Sequence, residues 1–215
     1  MTQTTTQTTT SNEDVTALHS KESAYPLTIN SLQNLVAFVH TPAGLCVVSK
    51  VSLPAGAHFA YITSHEPQPS PIWKTIQTSA TTHTDPQSAL LYMNHSCAPS
   101  LEVHTFSPDP TTGKYPQSPP GGDRNGEILG VGPHGLAGEV RVARDRGIAP
   151  GDALTFFYPS TEWEMDRGFE CLCGAPKGVC LAEVKGSKEI ERKDLGRWFF
   201  NEHILRLAAE RDGKI

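Results

Sequence analysis

The segment Tyr92-Met93-Asn94-His95-Ser96-Cys97-Ala98-Pro99 sets two polar side chains and a thiol beside a turn-making proline, directly after the apolar run Ala89-Leu90-Leu91. Taken alone it suits three outcomes: a His/Cys metal half-site, a catalytic Cys-His pair, or a capped turn without chemistry. Its partners lie much later in the chain. Gly151-Asp152-Ala153-Leu154-Thr155-Phe156-Phe157-Tyr158 is an apolar run that ends on a tyrosine. Phe169-Glu170-Cys171-Leu172-Cys173-Gly174, followed by Cys180, gathers three thiols in a short stretch.

Three local thiolates leave a tetrahedral zinc one ligand short, since zinc takes four N or S donors. Cys97 is the leading candidate for the fourth, and it would tie the cysteine-rich segment onto the Asn-His turn. Cys46 competes, but its neighbours Leu45, Val47 and Val48 are apolar, which favours a small core residue. The plain alternative is a set of unrelated reduced cysteines. Gly174 and Gly178 suit a chain bending tightly around an ion. Four thiolates leave no open coordination position, so such a site is structural.

The elements that must position these residues sit in a chain of 215 residues with net charge −5, one domain of ordinary size. An acidic balance argues against direct binding to a nucleic-acid backbone and is compatible with a basic, lysine-rich partner. No apolar run is long enough to span a membrane, and no signal peptide opens the chain. Five cysteines without a secretion signal read as metal ligands or reduced thiols, which places the protein inside the cell, in nucleus or cytoplasm.

Residues 1–24 are rich in Thr, Gln and Ser and are expected to form a disordered tail. The folded part is expected over 25–170, with a cysteine-rich segment over 171–186 and a helical extension over 187–215. Leu35 to Val39 and Leu45 to Val48 read as strands around the turn Thr41-Pro42-Ala43-Gly44, and another strand precedes Ile62. Residues 66–71 read as a Pro-rich loop, 72–78 as a short helix and 81–85 as a polar linker. A Pro/Gly-rich insertion at about 107–137 reads as long and exposed. Residues 139–144 alternate as a half-buried strand, and Leu154 to Tyr158 reads as a buried one. Leu195, Trp198, Phe199, Ile204, Leu205 and Leu207 fit one face of a covering helix, with Glu202 and Arg206 as an i,i+4 pair.

Together these stretches resemble the SET-domain family of lysine methyltransferases. Asn94-His95-Ser96-Cys97-x-Pro99 is similar to that family's Asn-His-Ser-Cys-x-Pro-Asn motif. Arg146-Gly147-Ile148 through Gly151-Asp152-Ala153-Leu154-Thr155-Phe156-Phe157-Tyr158 is similar to its later strand. Phe169 through Cys180 resembles its post-SET segment, and Gly44 to Val48 with Leu53 to Gly56 its opening strands. The match runs in order from about Leu35 to Leu181. The chain departs from the pattern at Ala43, which stands for a glycine, at Phe157 for an aspartate, at Pro159 for a glycine and at Ser100 for an asparagine.

The resemblance implies a mainly β, β-rich α+β fold: small curved sheets, a pseudoknot that brings the two central motifs together, a post-SET zinc segment and a C-terminal helix. It implies S-adenosylmethionine as cofactor, bound by Gly44, Asn94 and His95 and covered by Phe169 and Leu181. It implies Tyr158 as the catalytic tyrosine at a lysine channel walled by Tyr92 and Phe156. Zinc would be held by Cys97, Cys171, Cys173 and Cys180. The implied reaction is methyl transfer to a deprotonated lysine of a protein or peptide, histones included. Two other readings fit the same residues: a degenerate SET-like binding module, and a SET-derived enzyme acting on a small molecule.

Overall fold

The computed structural model describes residues 32–41, 44–120, 128 and 130–214. The expected tail over 1–24, the start of the folded part at 25, and Pro42 and Ala43 lie outside these residues. Where the chain is described it builds small sheets rather than one large one. The hairpin of β1 (Val36–Thr41) and β2 (Gly44–Ser49) forms as the alternating apolar residues predict, and Gly44 takes φ +118° at its turn, a conformation open to glycine.

A three-stranded antiparallel sheet carries the main core. In it β9 (Gly138–Val142) lies between β3 (His58–Ile62) and β8 (Leu101–Thr105). Its inward residues Ile62, Leu101, Val103, Val140 and Val142 are fully buried. A second apolar cluster forms where Phe157, Cys97 and Cys171 meet Val184, Ile190, Phe200 and Ile204. The site described below lies along the boundary of these two clusters. Two further pairings are β11 (Phe169–Glu170) with β12 (Glu183–Val184), and β7 (Asn94–His95) with β10 (Thr155–Phe156). The second is parallel, and it joins the two central motifs as the SET resemblance implies. The strand-rich, small-sheet class is the expected one.

Several local expectations are corrected. The stretches read as a Pro-rich loop, a helix and a polar linker form a sheet of β4 (His65–Gln68), β6 (His83–Pro86) and β5 (Ile76–Gln77). Several of its polar residues are buried with hydrogen-bond partners inside the protein. His65 bonds the Thr84 hydroxyl at 2.6 Å and the Gly135 carbonyl at 3.2 Å, so hydrophobic alternation never marks these strands. In place of a helix, Thr75 closes a turn back to the backbone of Ile72, and Ile76 and Gln77 pair across to Thr84 and His83.

The described part of the insertion is not simply exposed. Tyr115 is buried, hydrogen-bonds Thr78 at 2.8 Å and meets the His65 ring edge-on. Residues 121–127 and 129 lie outside the described residues.

The C-terminal helix spans Glu202–Arg211, so Leu195, Trp198 and Phe199 precede it, and Leu205 on it is exposed. Arg206 pairs with Glu210 at 3.8 Å rather than with Glu202. Asn201, just before the helix, does not cap it with its side chain. That side chain instead donates to the carbonyls of Val103 and Ser160 and accepts from the Thr105 amide, each at 2.8 Å. These bonds fasten the extension to the main sheet.

Candidate active site

Asn94 and His95 lie beside Thr155 and Phe156 because β7 and β10 run parallel, and the Ser96 amide continues the ladder onto Phe156 O at 3.0 Å. Ser100, where the resembled motif has asparagine, locks this seam. Its buried hydroxyl donates to Ala153 O at 2.8 Å and accepts from the Thr155 amide at 2.9 Å. The change of residue type hid that role in the sequence, although serine's paired donor and acceptor suit it.

Beyond the seam the chain turns, and Tyr158 points its hydroxyl back across it, donating to Met93 O at 2.9 Å. The Tyr158 amide donates to His95 Nδ1 at 3.2 Å, so the ring proton resides on Nε2, which faces Cys97 Sγ at 3.3 Å. Burial pushes His95 down to about 4 and Tyr158 up to about 12. Near neutrality both are uncharged, and neither is poised to take a proton from a substrate.

These residues open onto a cleft of about 700 Å³. Tyr92, Asn94, His95, Phe156, Tyr158 and Phe169 all line it, so the structure brings most of the predicted site together. The Asn94 side chain is exposed there and makes no hydrogen bond among the described residues. Gly44 and Leu181 are not on the cleft wall. Gly44 sits at the hairpin turn, while Leu45 reaches the cleft; Leu181 packs in the second cluster and donates its amide to Cys97 Sγ at 3.4 Å. The wall also holds Glu162, which the sequence reading passed over.

No protein-family model matches the chain. Its sequence is 35% identical over 191 residues to the methyltransferase flvH of Aspergillus flavus, an alignment that covers 88% of this chain and 85% of flvH. The chain belongs to the methyltransferase family of flvH. A looser likeness is to the crystal structure of KRYPTONITE in complex with mCHG DNA and SAH, with TM-score 0.45 and 18% identity. It covers 69% of this chain, which spans 28% of the length of that one.

In this member of the flvH family the four predicted cysteines converge. The sulfurs of Cys97, Cys171, Cys173 and Cys180 lie within 4.8 Å of one another, placed to hold a metal ion. Zn–S bonds of about 2.3 Å in a tetrahedron need sulfurs about 3.8 Å apart, and an all-sulfur donor set suits zinc. Cys97 and Cys171 meet this separation at 3.8 Å. Amide donors also face the sulfurs, Cys97 N–H to Cys173 at 3.5 Å and Ala182 N–H to Cys180 at 3.4 Å. Cys46 lies apart, on β2, donating to Val39 O at 3.4 Å. The Trp198 indole donates to Cys97 O at 2.8 Å and stacks on Phe157 at 4.4 Å. Phe157, the departure from aspartate, is therefore packed beneath the C-terminal extension.

Proposed function

We propose that this methyltransferase uses S-adenosylmethionine to methylate the amine of a lysine side chain in a protein or peptide, histones included, with zinc at the four cysteines as a structural clip. The observation that supports it best is the Tyr158–Met93 hydrogen bond, set beside the unpaired Asn94 amide in one cleft. The cofactor supplies an electrophilic methyl group on a sulfonium sulfur. The chain's task is then to present an uncharged amine in line with it at close range.

Tyr158 has its proton committed to Met93 O, so the phenol oxygen turns a lone pair toward the cleft and can accept from an amine N–H. Phe156 packs against Tyr158 with ring centroids 4.7 Å apart, and Phe38 meets Tyr92 at 5.4 Å. Such an aromatic wall disfavours an ammonium by removing its water, and so favours the neutral nitrogen that attacks. Asn94 offers its free amide to polar groups of the cofactor. His95, neutral and bonded at both nitrogens, holds the Tyr158 backbone in place. The acidic net charge suits a lysine-rich substrate, and the thiols suit the reducing interior of a cell, in nucleus or cytoplasm.

The test is calorimetry with S-adenosylmethionine, followed by labelled methyl transfer onto core histones and free amines. Saturable binding with label on lysine is the expected result. Absence of binding in the low-millimolar range removes the transferase reading and leaves the binding module. Label on free amines alone moves the substrate to a small molecule.

A further inference from the structure

We propose that Glu162 is the proton acceptor of this reaction: its second carboxylate oxygen, on the cleft wall one turn beyond Tyr158, takes the proton of the incoming ammonium before the nitrogen attacks. The inference rests on the methyltransferase reading above and extends it to a residue that reading leaves without a task.

Glu162 follows the short turn of Tyr158–Ser160, and its amide donates to Tyr158 O at 3.1 Å. The residue is 6% exposed and still lines the cleft. Its Oε1 accepts twice, from the Gln77 amide at 2.7 Å and the Thr161 hydroxyl at 3.2 Å. Its Oε2 has no hydrogen-bond partner among the described residues. The cleft it lines also carries the apolar side chains of Ile62, Ile76, Leu90, Val103 and Phe156. A carboxylate so placed either carries a proton or meets a cation, because an isolated charge in such surroundings is costly.

Among the described residues no cation is paired with it. Lys74, another cleft residue, is paired with Asp85, and Arg167 is solvent-exposed. On elements packed against Glu162, burial pushes His83 and His203 down and Tyr158 up, so these three stay uncharged. The 187–189 turn, whose Ser187 amide donates to Glu162 O, carries the exposed Glu189 and a Lys188 paired with Glu164. Burial pushes Glu162 up to about 8, opposed by Gln77 and Thr161. That lifts its basicity towards an amine's, as a proton acceptor requires. An ammonium entering the cleft supplies the missing cation.

The step balances. The ammonium gives one proton to the ionised Glu162, leaving a neutral amine and a carboxylic acid. The nitrogen lone pair then forms the N–CH3 bond as the C–S bond breaks, and its electron pair stays on sulfur. The methylated product leaves as a cation, and Glu162 returns its proton to water.

Glu162→Gln is a clean probe because an amide oxygen keeps both Oε1 bonds and only the free end changes. With labelled S-adenosylmethionine, and with core histones and n-butylamine as acceptors, wild-type kcat/KM should rise through about pH 8. Wild type should level off above that value, whereas Glu162→Gln should fall about 100-fold near pH 8 and go on rising towards the amine's own pKa of about 10.4, with cofactor affinity unchanged. Turnover within about threefold of wild type, with the same levelling above about pH 8, overturns the proposal. So does a loss explained wholly by weaker cofactor binding, which would make Glu162 a cofactor ligand. Should the variant not fold, the wild type decides by infrared spectroscopy. Its carboxylic-acid band should titrate at lower pH once n-butylammonium is bound, and an unmoved titration overturns the proposal. A wild type that neither binds the cofactor nor methylates either acceptor removes the transferase reading and this proposal with it; the other failures remove this proposal alone.

Discussion

The Tyr158 hydroxyl donates to the Met93 carbonyl at 2.9 Å, across the seam where two segments far apart in sequence run parallel. The bond fixes the direction of the phenol oxygen's free lone pairs. Tyr158→Phe removes that oxygen and leaves a buried carbonyl without its partner. Loss of one oriented polar group at a reacting centre typically costs 10²–10³ in rate, so turnover should fall about 100-fold. Stability should drop by about 1–2 kcal/mol, and cofactor affinity should hold. Steady-state kinetics beside calorimetry check this, and unchanged turnover would move the catalytic role to another residue.

The proposed cofactor contact of Asn94 can be tested apart from folding. Its side chain is exposed in the cleft and holds nothing else together among the described residues. Asn94→Ala should therefore leave the melting temperature within about 1 °C, as surface changes do. It should weaken S-adenosylmethionine binding by up to about tenfold, the worth of one hydrogen bond. Equal affinity in the variant would remove Asn94 from the cofactor site.

The cysteine clip joins three parts of the chain: Cys97 on the central seam, Cys171 and Cys173 beside β11, and Cys180 before β12. Elemental analysis should find one zinc per chain. Chelation, or Cys97→Ser, should lower the melting temperature by about 5 °C or more, because removing a structural metal removes folding free energy. A melting curve indifferent to chelator would leave four reduced thiols in place of a metal site.

The site was legible where chemistry demands particular residue types, and obscure where packing or buried polarity decided the outcome. Asn94, His95, Tyr158 and the four cysteines could be named from their residue types and motif spacing, and the structure brings the first three onto one cleft and the cysteines into one cluster. The sheet of β4, β5 and β6 was not legible, since His65 and Thr84 are buried against each other by a hydrogen bond and Asp85 is buried against Lys74, the reverse of the pattern that marks a strand. Glu162 escaped for the same reason. On paper it is one acid among many, and only its apolar surroundings give it chemistry. Phe157 looked like a lesion in a motif, while the structure stacks it on Trp198, a partner whose position no local pattern reveals.

That stacking makes its own prediction. Phe157 is 2% exposed, between Trp198 and Phe200. Phe157→Asp, which restores the residue type of the resembled motif, would bury a carboxyl among the rings of Trp198, Phe200 and the neutral His95. It should destabilise the chain by about 3 kcal/mol or more, against the intuition that a motif residue is benign. Denaturant unfolding measures this directly, and a stable variant would show that the extension can lift away from the seam.

Glu162 also sets how stability should vary with pH. Its ordinary value is 4.5, and burial raises it to about 8 in the folded protein. Between these values the folded chain keeps a proton that the unfolded chain releases, so this contribution is full below about 4.5 and is lost as pH rises through about 8. Its size has an upper bound of about 5 kcal/mol. His65, pushed down to about 4 by burial, works in the opposite sense below its ordinary value of 6.5 and then contributes no further change. The two effects are separated by comparing wild type with Glu162→Gln, in which the histidine remains. Relative to wild type, the variant should gain stability steadily as pH climbs towards about 8, with the difference largest on the alkaline side. Thermal unfolding of both proteins across this range provides the check, and parallel curves would show that Glu162 is already ionised in the folded protein.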